Sequence, residues 1–278
     1  MRELAIREVA EQTGLAAGTI RMWEQRYGFP TPQRTPSGYR LYSAEDVDTL
    51  RRVLALRKGG LSVPAALERA RSATTGPTDR VSIFGAVPHG GRSRRLRKRT
   101  LVALSRAIED ETLASAAGPV LLGAFQRDKH YRWVEHRYQR MAKAADFTAV
   151  FADFGDDHET EVRDGAPVEL CIPIDDPLGH EWAVVVDAPG FSVCLVAWEP
   201  PVAQTPEKDL DREFETYWTL DPEVVRQAAH AGAAAARVTC PEAGERLERL
   251  LTDRPLGAEP SLTALESLTM RMVDYLEA

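Results

Sequence analysis

The segment TIRMWEQRYGFPTPQRTPSGYRLYS, residues 19–43, sets four arginines (Arg21, Arg26, Arg34, Arg40) against one acid, Glu24, and carries five aromatic rings, Trp23, Tyr27, Phe29, Tyr39 and Tyr42. Its first half is free of proline until Gly28, and Ile20 and Trp23 stand three residues apart, so it reads as the body of a helix over 17–27 that ends at the glycine. Pro30, Pro32, Pro36 and Gly38 then forbid regular helix, and GYRLYS alternates like a short strand. Upstream, Ile6, Val9 and Ala10 recur at helical spacing and Gly14 stops that helix. The three or four residues between the two helices match a helix-turn-helix. Downstream, Ser43 followed by Glu45 and Asp46 predicts the N-cap of a helix through Lys58, and a further helix is expected over about 62–71.

The second helix exposes Thr19, Arg21, Glu24, Gln25 and Arg26, a set that can lie in a major groove and offer donors to base edges. Arg34 in the loop, with Tyr39 and Arg40 on the strand, can grip flanking phosphates as a wing. The other reading is a helical protein-binding module with solvated arginines. Charge distribution favours the polyanion. The 278-residue chain carries a net charge of −7, yet residues 1–80 hold 13 Lys and Arg against 9 Asp and Glu, leaving 22 against 33 in the remainder. A basic head on an acidic body suits a nucleic-acid partner for the head alone.

With these residues in view, IREVAEQTGLAAGTIRMWEQRYGFPTPQRTPSGYRLYSAEDVDTL resembles the winged helix-turn-helix of the MerR family of transcription regulators, over about residues 3–70. Within it, TIRMWEQRYGFP followed by RTPSGYRLYS is similar to the branch that includes cobalamin-binding photoreceptor regulators. The resemblance implies a homodimer on a palindromic double-stranded promoter element, with RNA polymerase as a partner. By motif position it implies that Thr19 and Arg21 approach bases or their phosphates, that Trp23, Arg26 and Tyr27 contact the backbone, and that Arg34, Tyr39 and Arg40 are wing contacts. The chain also departs from the family. The long coiled-coil helix and metal-binding cysteines of its metal sensors are missing after residue 71, and none of the six histidines sits in an Asp-x-His-x-x-Gly cobalamin signature. Neither a metal nor a cofactor is therefore expected.

SATTGPTD, residues 72–79, is a linker by composition. Beyond it, Leu101, Leu104 and Ile108 mark one helix, and Tyr131, Val134, Tyr138 and Met141 another. PVLLGAF, FTAVFADF, VELCIPI, EWAVVVDA and SVCLVAWE read as strands, the last two joined by a hairpin-type turn. Helices are expected over about 208–217, 222–236 and, with an apolar stripe of Leu262, Leu265, Leu268, Met272 and Leu276, at the end of the chain. RKRTLVALSRAIEDE, LLGAFQRDKHY, AVFADFG, PLGHEWAVVVDAPGFSVCLVAWE and REFETYWTLDPEVVRQAA together resemble the DICT sensory domain, over about residues 81–236. That resemblance implies a signal-sensing α/β module, without a ligand.

The expected organisation is α+β: an all-helical winged helix-turn-helix (1–71), a linker (72–80), an α/β sensory domain with a mainly antiparallel sheet (81–236), and C-terminal helices (237–278) whose apolar stripe either dimerises or packs back on its own domain. RSRRLRKR, residues 92–99, concentrates six positive charges, and Arg97 and Lys98 are its candidates for an anionic effector; a solvated basic face is the alternative. Phe125, Trp133, Trp182, Trp198 and Trp218 are candidates for an apolar effector pocket, with plain core as the alternative. DFGDDHETE, residues 153–161, resembles a magnesium motif without its companion loops and reads as a solvated loop. No nucleophile elbow, phosphate loop or paired catalytic carboxylates stand out, so the chain is read as no enzyme. The reading is a DNA-binding regulator controlled by an effector, small molecule or protein; the rival is an adaptor with constitutive DNA binding whose second domain binds a protein partner. Three cysteines without paired spacing, no apolar run near 20 residues and no signal peptide place the expectation in the cytoplasm, with no membrane partner.

Overall fold

The computed structural model describes residues 4–35, 38–58, 62–72, 81–88, 92–155, 157–172, 176–200 and 207–278. The expected linker lies outside them apart from Ser72. The chain divides into two compact units, residues 1–78 and 79–278.

In the first unit, β1 (Leu4–Ala5), α1 (Ile6–Thr13), α2 (Ala17–Tyr27), β2 (Gln33–Arg34), β3 (Arg40–Tyr42), α3 (Ala44–Lys58) and α4 (Val63–Ser72) follow in order. Gly14 and Gly28 close α1 and α2 at φ 73° and 63°. That left-handed region is one other residues enter only at a cost, so both helix stops are fixed by composition. Ser43 caps α3 as expected: its hydroxyl accepts from the Asp46 amide at 3.0 Å while Asp46 accepts from the Ser43 amide at 2.8 Å. The strand read in GYRLYS is the centre of a small antiparallel sheet, β1-β3-β2, whose two-residue outer strands are too short to show a period. Val9, Ile20, Trp23, Tyr42, Leu50 and Val53 are all buried in this unit.

The second unit contains α5 (Ile83–Ala86), β4 (Arg94–Arg97), α6 (Lys98–Ser115), β5 (Val120–Arg127), α7 (Asp128–Arg132), α8 (Glu135–Ala142), β6 (Phe147–Asp153), β7 (Val168–Cys171), β8 (Glu181–Ala188), β9 (Phe191–Trp198), β10 (Glu213–Thr219), α9 (Pro222–Thr239), α10 (Pro241–Asp253) and α11 (Leu262–Glu277). Among the described residues, seven strands run in the order β4-β10-β9-β8-β5-β6-β7. Only β5–β6 and β6–β7 are parallel, so the sheet is mainly antiparallel. β8 and β9 are buried along their whole length, which explains their unbroken apolar runs. Leu101, Leu104 and Ile108 of α6, Tyr138 of α8, and Leu268 and Met272 of α11 share one core with Leu121, Val184 and Leu195 of the sheet. The alanine-rich face of α9 packs against the central strands, and α10 packs on α9.

Two expected helices differ. Residues 208–217 are not helical beyond a 3-10 turn at Asp209–Asp211: Glu213–Thr219 form β10 between β4 and β9. Leu210, Phe214 and Tyr217 imitate helical spacing, but Phe214 and Thr216 alternate with Glu213 and Glu215, and two neighbouring strands supply the hydrogen-bond partners. The helix read through Tyr131 and Met141 is broken at Trp133 and Val134 into α7 and α8, which leaves Tyr131, Tyr138 and Met141 buried together.

Within this unit, the end of α10 is tied to the sheet by an ion cluster. Asp187 of β8, 2% exposed, accepts from Arg226 of α9. Arg226 also donates to the carbonyls of Leu251 (2.7 Å) and Pro255 (3.0 Å), and Arg254 donates to the carbonyls of Asp187 (2.6 Å) and Gly118 (2.9 Å). Burial of the carboxylate is tolerated because each group meets several partners.

Candidate nucleic-acid interface and sensory-domain residues

The periodicity of α2 divides it. Ile20 and Trp23 point into the core, while Gly18, Arg21, Met22, Gln25 and Arg26 lie on the exposed face. Arg21 makes no hydrogen bond or ion pair among the described residues, so its guanidinium is available to an outside acceptor. Arg26 lies over the Tyr27 ring, 5.6 Å from its centroid, which braces it at the helix end. On the wing, Arg34 and Tyr39 are exposed, Tyr39 by 74%. Thr19 is half-buried, its amide bonded to the Ala16 carbonyl at 2.9 Å.

Two expected contacts take other places. Trp23 is 1% exposed, so its indole belongs to the core and not to a backbone-contacting surface. Its spacing from Ile20 had already put it on that face, and a buried ring cannot reach a phosphate. Arg40 is anchored: its Nε donates to Glu24 Oε2 at 2.8 Å, and Arg34 stands 3.7 Å from the other oxygen. The Glu24 hydrogen bond pushes the Arg40 guanidinium pKa up. Glu24, read in the sequence as a groove-facing group, thus clamps Arg40 of β3 to α2.

Residues 4–72 match the MerR HTH regulatory protein family, and residues 85–200 match DICT, the sensory domain in diguanylate cyclases and two-component systems. The first 70 or so residues are a MerR helix-turn-helix domain, and 85–200 are a DICT domain. The HTH-type transcriptional repressor CarA of Myxococcus xanthus is 45% identical over 71 residues, 25% of each chain. The HTH-type transcriptional repressor CarH of the same organism is 42% identical over 65 residues, 23% of this chain and 22% of its own. The mercuric resistance operon regulatory protein of Bacillus cereus is 36% identical over 58 residues, 21% of this chain and 44% of its own. The chain thus spans about a quarter of the length of the first two relatives. Among the described residues, no helix is long and apolar enough to cross a membrane.

The DICT domain disperses the candidate effector residues. Trp182 pairs with Ala197 and Glu181 with Trp198, so the two indoles, one residue out of step, point to opposite faces of the sheet. Trp182 donates to Ser105 Oγ at 3.0 Å inside the core, and Phe125 packs edge-on to Tyr138 at 5.1 Å. Trp198 is buried as well, whereas Trp133 is 85% exposed and Trp218 41%. RSRRLRKR becomes β4 and the start of α6, with Arg97 opposite Glu213 and Arg95 opposite Glu215 of β10. Of DFGDDHETE, Asp153 ends β6, residue 156 lies outside the described residues, and Phe154 stacks on His158.

Lys98 is the exception on that basic run. Its side chain is buried and its ammonium meets Asp209 and, at 3.2 Å, His130 Nε2. His130 Nδ1 lies 3.1 Å from the Phe125 carbonyl, an acceptor only, so Nδ1 carries the proton and Nε2 accepts from Lys98. Arg212 extends the cluster to Gln126 Oε1 (2.9 Å) and Glu199 Oε1 (2.6 Å). Gln126 sits at φ 62°, where the register of β5 with β6 slips. This strained position, with no local sequence signature, is held by its polar partners. Burial tends to raise the Asp209 carboxyl, but hydrogen bonds from Lys98 and Arg212 outweigh it and hold the pKa at about 2. Burial, followed by the Lys98 charge, lowers the pKa of His130.

The folded DICT domain therefore binds fewer protons at His130 than the unfolded chain does, and stability rises with pH. The contribution is complete above the ordinary histidine value of 6.5 and is lost as pH falls through the lowered folded value. Melting temperature should accordingly fall between pH 7.5 and 5.5, and His130→Gln should flatten that dependence. Parallel curves for the two proteins would refute the assignment.

Proposed function

We propose that this chain is a transcriptional regulator: the MerR domain binds a palindromic promoter element as one half of a two-fold pair, and the DICT domain receives the signal that controls it. The observation that carries this reading is the exposed face of α2, with Arg21, Gln25 and Arg26 free of the core, beside a wing presenting Arg34 and Tyr39. Arg21 and Gln25 have the donor geometry for base edges, and the other groups suit phosphates. RNA polymerase is the partner such a regulator acts on at a promoter. Arg21→Ala should weaken binding to a footprinted site by about tenfold to a hundredfold if the contact is to a base. Arg40→Ala should weaken it by releasing the wing from Glu24. Log affinity should fall steeply with log salt through counterion release. A footprint without two-fold symmetry, or affinity indifferent to both substitutions, would refute the reading.

The two-fold contact is assigned to α11. Its apolar stripe divides: Leu268 and Met272 pack into the domain core, with Ser267 and Arg271 bonded to Glu111 and Tyr275 to Asp110. Leu262 and Leu276 of the stripe stay exposed, as do Met270 and Val273 outside it. Pairing that outer face with its mate gives an isologous interface matching a palindrome. Deleting 259–278 would also strip the core of Leu268 and Met272, and a sensory fragment ending at residue 236 would lack them too. The cleaner test is Val273→Glu with Leu276→Glu, which should halve the mass measured by light scattering while leaving the melting temperature nearly unchanged. A double variant that stays dimeric would exclude α11.

The exposed Trp133, with Leu210 at 50%, favours a protein partner over an enclosed small-molecule pocket as the source of the signal. Trp133→Ser should then abolish the regulatory response in cells with fold and DNA affinity intact. A small molecule that raises the melting temperature of both wild type and variant would return the reading to a ligand.

A further inference from the structure

Among the described residues of the MerR domain, the large hydrophobic side chains that stand exposed are Met22, at 43%, and Tyr39. Both lie on the surface proposed for DNA, one on the recognition helix and one on the wing. Met22 is placed between Arg21 and the core residue Trp23, yet its side chain takes the outer face, in line with Gly18 one turn before and Gln25 one turn after.

Gly18 sharpens the point. Its φ is not in the positive range and a Cβ added there would meet nothing within 4 Å, so neither backbone geometry nor internal packing calls for glycine. A glycine within a helix is destabilising relative to alanine. Long helical side chains lean back over the preceding turn, so the Met22 thioether is directed over the bare backbone at Gly18. The result is a low apolar patch at the leading end of α2, flanked by Arg21 and Gln25. Base edges in the major groove offer one apolar group, the thymine 5-methyl. A polarizable, unbranched thioether packs well on a methyl, and the missing side chain at Gly18 lets the helix come close enough for it to do so.

We propose that Met22 reads a thymine methyl group in each half-site, with Gly18 as the clearance that admits the DNA. This rests on the DNA-binding reading above and adds a base-specific determinant to it. The test is a crossed substitution. A duplex footprinted by the wild-type protein is resynthesised with deoxyuridine, which lacks only the methyl, at one thymine position per half-site at a time. Each duplex is then titrated with wild type, Met22→Ala and Gly18→Leu.

One thymine position should weaken wild-type binding by about fourfold per half-site, the factor corresponding to one buried methyl-sized group. The ratio should not change with salt, because a methyl contact releases no counterion. Met22→Ala should bind the thymine and uracil duplexes equally at that position. Gly18→Leu should melt no lower than wild type yet lose affinity for every duplex. Affinity indifferent to deoxyuridine throughout, or a penalty that persists undiminished in Met22→Ala, would overturn the proposal while leaving DNA binding in place. A wild-type protein that footprints no promoter fragment would overturn the DNA-binding reading itself, and this one with it.

Discussion

Trp23→Ala should abolish DNA binding by unfolding the MerR domain, not by removing a contact. Truncating a fully buried tryptophan costs about 3–5 kcal/mol, and a domain of this size is stable by roughly 5 kcal/mol in all. Trp23 is 1% exposed on the same face as Ile20, and Val9, Tyr42 and Leu50 are buried in the same unit. Hydrogen exchange on the full-length variant should show amide protection lost through α1, α2 and α3, with β8 and β9 of the DICT domain still protected. Arg21→Ala should lose affinity with protection unchanged everywhere. Protection retained in α2 of Trp23→Ala, together with weakened binding, would restore the indole to the interface.

The second large effect is expected at Asp187. Asp187→Ala leaves the Arg226 guanidinium, 13% exposed, without its carboxylate, while Arg254, 10% exposed, keeps the nearer Asp146. Removing one partner of a buried pair costs about 3–5 kcal/mol, which for a domain of this size lowers the melting temperature by roughly 10 °C. The connection from α10 toward α11 should loosen first, since Arg226 holds the carbonyls of Leu251 and Pro255 there. Asp187→Asn, which keeps an acceptor, should lose less. A melting temperature within a degree or two of wild type for Asp187→Ala would show that the carbonyls alone hold Arg226, and that they hold Arg254 together with Asp146.

The local chemistry of the MerR head made it readable. Gly14, Gly28 and Ser43 each end or start a helix by their own conformational preference, so α2 and α3 stand where the sequence puts them. Its site was only partly legible. Arg40 and Glu24 are 16 residues apart, and their pairing depends on how the wing folds back. In the DICT domain, strands with unbroken apolar runs were evident, but β10 was not, because its charged and apolar residues are mixed and one of its two partners, β4, lies far off in the chain. Trp182 and Trp198 look alike in sequence; the hairpin register decides that they face opposite ways. Gln126 could not be anticipated, since its backbone is fixed by Arg212 and Glu199, both more than 70 residues away.

The arginine-rich strand β4 has one more consequence. It forms one border of the seven-stranded sheet, and Arg94, Arg95 and Arg97 are exposed along its four residues. An open border of this kind is a template on which another extended chain can add by backbone hydrogen bonding, the first step of fibril growth. Guanidinium stays charged at any pH a cell meets, so two such borders repel each other under all those conditions. Replacing the three arginines by threonine or valine, residues that suit a strand equally well, should leave the fold alone and promote sheet-rich aggregates on concentration.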